Sequence, residues 1–228
     1  MLGVHVQEFD EETLNCLPRI DSPKRLPSPY QISKRFFDLF CALFALIALF
    51  PLMAGIFVAI RFTSAGAPVY KQKRIGRRGN IFTIYKFRTM FEGADDLQKS
   101  LNPEELAVYQ INRKLENDPR VTKVGRFLRK TSLDELPQLL NILKGDMSIV
   151  GPRPMLPEEI HLYGSEYMRY ITIRPGLTGL WQIKSRHRTV MEERARIDAQ
   201  YIENRGMLYD LAIILKTVTI VLNSKGAQ

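Results

Sequence analysis

The sequence predicts a mainly α-helical protein with a small β-hairpin, an α+β fold, that is attached to a membrane by an N-terminal apolar helix. Three observations support this prediction. Residues 36–60 are almost entirely apolar, residues 69–87 have the pattern of two strands around a glycine-containing turn, and residues 92–118 carry a helix-start signal. Because 45% of the 228 residues are hydrophobic, the chain can bury one sizeable core, and we expect one compact domain with an appendage.

The net charge of +9 indicates an anionic partner. Phosphates, anionic lipid head groups and nucleic acid all fit, and charge alone does not choose among them. The two cysteines lie far apart and suggest neither a disulfide framework nor a metal site. The three histidines have no paired spacing, which argues against a His-ligated zinc site and against a Ser-His-Asp triad.

Residues 1–33 are predicted to form a flexible arm. Acidic residues come first, four prolines follow among serines and basic residues, and no periodic pattern emerges. The arm is not a secretory signal, because its first stretch is acidic and lacks an apolar core.

Residues 34–61 are predicted to form a membrane helix. The apolar run within it would reach roughly 37 Å at 1.5 Å per residue, enough to cross a hydrocarbon core of about 30 Å. Two features favour a re-entrant helix instead. Pro51 removes a helical hydrogen bond, which favours a bend, and basic residues flank both ends, so the positive-inside rule finds no outside end. A kinked spanning helix is the alternative.

Two further segments have recognisable patterns. Residues 69–75 and 81–87 are predicted strands of a hairpin, and Asn102 with the following Pro103 and Glu105 marks the start of a helix. Residues 210–222 are apolar but too short to cross a bilayer, so we expect a buried core helix in preference to one that lies on the membrane interface.

The adjacent carboxylates Asp134 and Glu135 are the strongest candidates for chemistry. Ser132 to Glu135 matches a capping box, in which the two acids would only stabilise a helix start. Pro137 argues against this interpretation, because it would fall where the helix needs an N–H; a helix that begins at Asp134 tolerates it. In both cases the acids lie at a helix beginning, where free N–H groups could also hold a phosphate.

Four segments carry a family resemblance: KFRTM (86–90), NDPRVTKVGRFLRK (117–130), TSLDELPQLLNILKGDMSIVGPRP (131–154) and RPGLTGLWQ (174–182). They resemble the bacterial sugar transferases that act as monotopic phosphoglycosyl transferases, and the resemblance extends from residue 34 to about residue 222. It implies a re-entrant helix broken at Pro51 and a catalytic domain, residues 62–228, with interfacial helices on the cytoplasmic face of the bacterial inner membrane. The family's break is often a Ser-Pro pair, whereas Phe50 precedes the proline here.

The resemblance also implies the reaction. A sugar 1-phosphate would pass from a UDP-sugar to polyprenyl (undecaprenyl) phosphate with release of UMP, as the first membrane step of glycoconjugate or exopolysaccharide biosynthesis. Asp134 would be the nucleophile of a ping-pong mechanism with a covalent aspartyl-phosphosugar intermediate. Glu135 would accept a proton or orient a metal. The implied cofactor is Mg²⁺, with Asp134 as its ligand.

Several residues are expected to bind the phosphates or the nucleotide. Arg153 lies between two prolines that stiffen the backbone, and Arg129 lies five residues before Asp134; both match arginines of the family's site, and for each the alternative is a surface arginine paired with a neighbouring acid. The other expected contacts are Lys86, Arg88, Arg174, Gly176, Thr178 and Gly179. Trp181 and Tyr201 are expected to be core residues.

The expected partners are a UDP-sugar, polyprenyl phosphate and membrane lipid, without nucleic acid, and a homodimer stays open. The sequence contains no motif that selects one sugar, so hexoses and acetamido sugars both stay open. The rival function is a non-catalytic basic membrane adaptor, for which Asp134 would be dispensable.

Overall fold

The computed structural model describes residues 18–19, 28–94, 96–112, 115, 118–184 and 191–222. This part of the chain is mostly helical, with a hairpin and one long apolar helix near its N-terminus, which confirms the predicted fold class at that level. Most of the predicted arm, residues 1–33, lies outside the described residues.

The first helix, α1, spans Pro29–Thr63 and therefore begins before the predicted boundary at residue 34. Ser28 explains the early start. Its hydroxyl accepts a hydrogen bond from the Gln31 backbone N–H at 3.3 Å, and its own N–H donates to the Gln31 side chain at 3.2 Å, which together form a capping box. Pro29 follows at the first helical position, where its missing N–H has no intrahelical role. Pro51 lies inside the helix.

One face of α1 packs against the rest of the protein along most of its length. Asp38, Ala42, Ile56 and Ile60 are buried on this face. The opposite face exposes large apolar side chains, including Phe36, Phe40, Phe44, Ile47, Phe50, Phe57 and Phe62. Of the helices that the structure describes, only α1 is long and apolar enough to cross a membrane. Its exposed apolar face requires a lipid or protein environment.

The predicted hairpin is confirmed. Strands β1, Val69–Ile75, and β2, Ile81–Phe87, pair antiparallel, with Val69 opposite Phe87. The turn between them, Arg77–Gly79, requires positive φ angles at Arg78 (66°) and Gly79 (79°). Phe82 and Ile84 share one face of β2 and are buried there, whereas Phe87, on the other face, packs against Ile56 and Ile60 and fixes the end of the strand near α1.

A second, parallel pair of strands was not predicted. Strand β3, Ser148–Val150, pairs with β4, Gly176–Thr178. Glycines allow the two backbone segments to approach each other closely here. A Cβ on Gly176 would overlap the Gly151 backbone N, and a Cβ on Gly179 would overlap the Gly151 carbonyl oxygen.

The remaining helices are short until the C-terminal part of the chain. They are α2 (Leu97–Ser100), α3 (Pro103–Asn112), α4 (Lys123–Thr131), α5 (Gln138–Lys144), α6 (Ile160–Tyr163), α7 (Tyr167–Tyr170), α8 (Leu180–Lys184), α9 (Met191–Asn204) and α10 (Met207–Leu222). The predicted start at Asn102 is confirmed, since Asn102 and Glu105 exchange side-chain and backbone hydrogen bonds of 2.8 and 3.0 Å.

The expectation that residues 210–222 form a buried helix is wrong for one face of α10. Asp210 and Ile213 are buried, but Leu208, Leu211, Leu215 and Val218 are exposed, Leu208 at 84% and Leu215 at 68%. A helix with one buried and one exposed apolar face suits the boundary between a protein and a membrane. The interfacial alternative therefore fits this face better.

Candidate active site

Asp134 and Glu135 lie in a 3₁₀ turn, Leu133–Glu135, between α4 and α5. The capping-box interpretation of Ser132 is wrong. Ser132 has a left-handed backbone (φ 58°, ψ 16°) and ends α4, with its N–H bonded to the carbonyls of Leu128 and Arg129 and no cap formed by its side chain. Pro137 immediately precedes α5, where it disturbs no helical hydrogen bond.

The acid-bearing turn is held against α1 and β2 by apolar contacts on both of its sides. Leu133 and Leu136 flank the two carboxylates and pack with the buried cluster of Ile56, Ile60, Phe87 and Leu128. Consequently the acid pair is fixed beside the second half of the apolar helix. A reaction centre at this position lies close to the surface that we expect lipid to cover.

Lys86, at the end of β2, contacts the acid pair directly. Its Nζ lies 2.7 Å from Glu135 Oε1, and the two side chains are 29% exposed each. Among the described residues, no cation lies within 4.0 Å of the Asp134 carboxylate. Asp134 is therefore without a salt bridge among these residues, while its neighbour Glu135 is paired.

The electrostatics of Asp134 differ from those of a surface aspartate. Burial raises the pKa of Asp134 to about 6, and the charge of Glu135 adds to this increase, whereas Lys86 and Arg129 oppose it. At pH 7 roughly nine-tenths of the carboxyl is then ionised, a smaller margin than an aspartate with a reference pKa near 3.9 would have. The ionised, nucleophilic form dominates only above pH 6.

Arg129 is a second cation whose charge acts on Asp134. Its Nε donates to the Thr89 hydroxyl at 2.8 Å, and burial lowers the pKa of its guanidinium while the Asp134 charge acts in the opposite direction. The structure thus brings together four of the sequence-predicted residues: Asp134, Glu135, Lys86 and Arg129.

Arg88 and Arg153 have other partners. Arg88 Nη2 donates to the Ser64 carbonyl and hydroxyl at 2.9 and 2.8 Å, so it binds the end of α1. Arg153 Nη1 lies 3.2 Å from Glu159 Oε1, which is the pairing with a neighbouring acid weighed as the alternative. The guanidinium of Arg153 also lies 5.9 Å from the Trp181 ring centre. Substrate contact by these two arginines stays a prediction.

The segment 174–179 is occupied by contacts within the protein. Arg174 Nε donates to the Gly145 carbonyl at 2.7 Å, at the end of α5, and the Thr178 hydroxyl shares a 2.7 Å hydrogen bond with that of Thr217. Gly176 and Gly179 approach the Gly151 backbone, as described above. The close approach that these glycines allow is therefore explained by the β3–β4 pair, and their binding of a phosphate stays a prediction.

Comparison with known proteins identifies the family. A sequence model of the family described as bacterial sugar transferase matches residues 29–224. The chain belongs to the bacterial sugar transferase family. Its resemblance to that family, and its assignment as a transferase, are thereby confirmed.

Three relatives illustrate the range of the family. The chain is 47% identical over 199 residues to the exopolysaccharide production protein ExoY of Sinorhizobium fredii, covering 86% of this chain and 88% of that one. It is 44% identical over 198 residues to the undecaprenyl-phosphate galactose phosphotransferase of Salmonella typhimurium, covering 85% of this chain and 41% of the relative. It is 35% identical over 236 residues to the undecaprenyl-phosphate glucose phosphotransferase of Komagataeibacter xylinus, covering 99% of this chain and 42% of that one.

The acid pair of this sugar transferase fits a magnesium ion only in company with a substrate. The described residues contain no group of three or more His, Cys, Asp or Glu side chains that could hold a metal. Mg²⁺ is usually bound through one or two carboxylates, several waters and the phosphates of the substrate. Asp134 can supply one such carboxylate, whereas Glu135 is engaged by Lys86.

Sequence reasoning missed two residues that organise the site of this family member. Thr89 holds the Arg129 side chain, and Asn141 joins α5 to β2 through its amide, which accepts from the Tyr85 N–H at 3.1 Å and donates to the Thr83 carbonyl at 2.7 Å. Thr89 and Asn141 both fall within the segments that carry the family resemblance. Their spacing in the sequence gives no signal of either role.

Proposed function

We propose that this sugar transferase moves a sugar 1-phosphate from a UDP-sugar to polyprenyl phosphate, with Asp134 as nucleophile, at the cytoplasmic face of the bacterial inner membrane. The single observation that carries the proposal is a half-buried carboxylate without a salt bridge, Asp134, which lies in the field of two cations, Lys86 and Arg129, beside the apolar helix α1. Relatives named for transfer to undecaprenyl phosphate support the acceptor, and the ExoY relatives support a role in exopolysaccharide production.

The proposed reaction has two displacements. An Asp134 carboxylate oxygen attacks the phosphorus nearest the sugar, the bond from that phosphorus to the bridging oxygen breaks, and UMP leaves with the electron pair. An oxygen of polyprenyl phosphate then attacks the same phosphorus, the bond to Asp134 breaks, and the carboxylate is regenerated. This ping-pong route needs no proton transfer in the first step, because Asp134 is ionised at neutral pH.

The main barrier to the first step is repulsion between the carboxylate and an anionic diphosphate. Two like charges about 4 Å apart repel by roughly 4 kcal/mol at an effective dielectric of 20. Lys86 and Arg129 face this region and reduce the repulsion. A bound Mg²⁺ would supply further charge neutralisation, with Asp134 and the substrate phosphates as its ligands.

Glu135 has a positioning role in this proposal. Its ion pair with Lys86 fixes the lysine ammonium next to Asp134. A phosphate monoester with a second pKa near 6 is already largely ionised at pH 7, so the acceptor needs little help from a general base.

The contacts of α1 support a membrane segment that does not cross the bilayer. Near its start, Asp38 accepts a hydrogen bond from the Ile149 N–H at 3.0 Å; near its end, Ile60 packs with Phe87 and Leu128. These positions are separated by roughly 33 Å of helix, about the thickness of a hydrocarbon core. The same domain contacts α1 at both positions. If α1 crossed the membrane, this polar domain would therefore have to extend through the bilayer beside it. We therefore propose that residues 34–61 enter and return on one face, with Pro51 as the site of bending and residues 62–228 as the cytoplasmic domain.

The proposed reaction is tested by UMP release from a panel of UDP-sugars, with magnesium and undecaprenyl phosphate. We expect release from one sugar, a loss of more than about a thousand-fold in Asp134→Asn, and normal rates in the control Glu104→Gln, which changes an exposed acid of α3. Exchange of labelled UMP into the UDP-sugar without acceptor should occur in wild type and stop in Asp134→Asn. Undiminished release in Asp134→Asn would show that Asp134 is not the nucleophile. No release across a panel covering hexoses and acetamido sugars would favour the rival function, a non-catalytic membrane adaptor.

A further inference from the structure

A basic cavity separate from the acid pair lies where the apolar part of α1 begins. It has a volume of ≈ 50 Å³, more than the ~10–15 Å³ that one water molecule needs. Its walls come from the start of α1, the hairpin turn, β3, the segment before β4 and the end of α9. Its five cations are Lys34, Arg35, Arg77, Arg174 and Arg205, and one carboxylate, Asp38, also lines it.

The carboxylates that the structure describes at the cavity neutralise only part of this positive charge. Asp38 accepts a hydrogen bond from the Ile149 N–H, and Asp210, behind the wall, pairs with Lys34 at 2.6 Å and accepts hydrogen bonds from the Tyr30 and Tyr201 hydroxyls. Among the described residues, none of the four arginines forms a salt bridge with a carboxylate. An excess of positive charge is left within the cavity.

The hydrogen bonds of the arginines go to neutral acceptors. Arg35 donates to the carbonyls of Ile142 and Leu143 at 2.7 and 3.2 Å, Arg174 to that of Gly145, and Arg205 to that of Ile202 at 3.0 Å. Backbone carbonyls hold a guanidinium in place without removing its charge. Several preorganised cations with unused N–H groups are the donor set that binds a phosphate in proteins.

These cations repel one another, and together with burial the repulsion lowers the pKa values of Arg77 and Arg174, although the charge of Asp38 opposes it at Arg174. Burial lowers the pKa of Arg174, and the charges of Arg35 and Arg77 lower it further; burial also lowers the pKa of Arg77, with Arg78 and Arg205 adding to the effect. An anion in the cavity would relieve this repulsion.

The surroundings of the cavity point to the source of that anion. Asp210 ties the start of α10 to the start of α1 through Tyr30 and Lys34, so the exposed apolar faces of the two helices begin beside the cavity. Phe36 is 74% exposed on one helix and Leu208 is 84% exposed on the other. We propose that this cavity, lined by Arg35, Arg77, Arg174 and Arg205, binds a lipid-borne phosphate whose hydrocarbon chains run along the apolar faces of α1 and α10.

The site differs in place from the proposed reaction centre. Asp134 precedes the N-terminal end of α5, whereas Arg35 and Arg174 bind the carbonyls at its C-terminal end. The proposal therefore does not depend on the role of Asp134 and assigns the basic cavity to lipid attachment.

The test is a lipid titration of the full chain in a mild detergent, with bound molecules counted by native mass spectrometry. Phosphatidylglycerol, phosphatidylcholine, undecaprenyl phosphate and inorganic phosphate are the probes. The test variant is Arg77→Gln/Arg205→Gln, which leaves the two arginines that hold α5 intact. The control variant is Lys71→Gln/Lys73→Gln, which removes two exposed cations of β1 outside the cavity.

In wild type and control we expect one tightly bound molecule of phosphatidylglycerol or undecaprenyl phosphate in addition to the undecaprenyl phosphate that the reaction centre binds as acceptor. Binding of that additional molecule should be at least about ten-fold weaker in the arginine variant, since two charge-assisted hydrogen bonds are lost. The probe that binds tighter identifies the lipid. Phosphatidylcholine should bind more weakly, because its choline group enters a positive field. Equal binding by the arginine variant, or binding of inorganic phosphate as tight as that of the lipids, would overturn the proposal. If the double variant does not fold, the two single variants replace it, with a smaller expected loss.

Discussion

The Lys86 ammonium lies 2.7 Å from a Glu135 carboxylate oxygen, so the last lysine of β2 and the residue after Asp134 form an ion pair next to the proposed nucleophile. Both members act on Asp134 in opposite directions: the charge of Glu135 raises the pKa of Asp134, and that of Lys86 lowers it. The pair thereby adjusts the protonation of the nucleophile, and this gives the first prediction.

The rate of UMP release should fall as the pH drops through about 6, because only ionised Asp134 can attack. Lys86→Gln should move this acidic limb to higher pH and lower kcat/KM at pH 7 by about ten-fold or more. Glu135→Gln should move the limb to lower pH. The measurement is the pH profile of kcat/KM for the three proteins. Limbs that coincide would show that Asp134 does not control the profile.

The raised pKa of Asp134 also predicts an effect on stability. Above pH 6 the carboxylate is charged in both the folded and the unfolded chain, and its burial opposes folding. The opposition declines as the pH falls below 6 and vanishes below about 4, where the carboxyl is protonated in both states. Asp134→Asn should therefore stabilise the protein at pH 7.5 by about 1–2 kcal/mol after allowance for solvent screening, with less gain at pH 5. Thermal unfolding in detergent at the two pH values measures this. A gain that is equal at both would contradict the ionisation argument.

Local patterns in the sequence predicted the elements whose cause is local. The hairpin follows from alternating residues around a glycine turn, and the start of α3 from the Asn102–Glu105 pair. The β3–β4 pair could not be predicted, since each strand has three residues and a parallel partner far along the chain.

In the candidate site, too, the sequence revealed residues with a recognisable pattern and missed features that depend on distant parts of the chain. The carboxylates were found from their own segment, whereas Lys86 and Arg129 were expected at the site from the family resemblance. The left-handed backbone of Ser132 could not be predicted, because serine is favoured at helix starts and a positive φ is uncommon for a residue other than glycine. The basic cavity was also missed, because its five cations come from four separate segments of the chain.

The glycines of segment 174–179 allow a test that separates packing from substrate binding. Gly179→Ala should lower the melting temperature by several degrees, because the added methyl group would overlap the Gly151 carbonyl oxygen and overpacking of this kind costs about 1–3 kcal/mol. Gly206→Ala is the matched control, since a Cβ there meets nothing within 4 Å. An unchanged melting temperature with a raised KM for the UDP-sugar would instead favour the predicted substrate contact.

The proposed course of α1 predicts that both of its ends are accessible from the same side of the membrane. In a variant with Cys16 and Cys41 replaced by serine, single cysteines would be placed at Gln31, near the start of α1, and at Ala65, just after its end. Because Asp38 and Ile60 contact the same domain, we expect a membrane-impermeant thiol reagent to label neither position in intact spheroplasts and both in inverted vesicles. Labelling of one position in spheroplasts and of the other in inverted vesicles would show that α1 crosses the bilayer. Catalysis by Asp134 would be compatible with that result, whereas bending at Pro51 and the placement of residues 34–61 on one face would not.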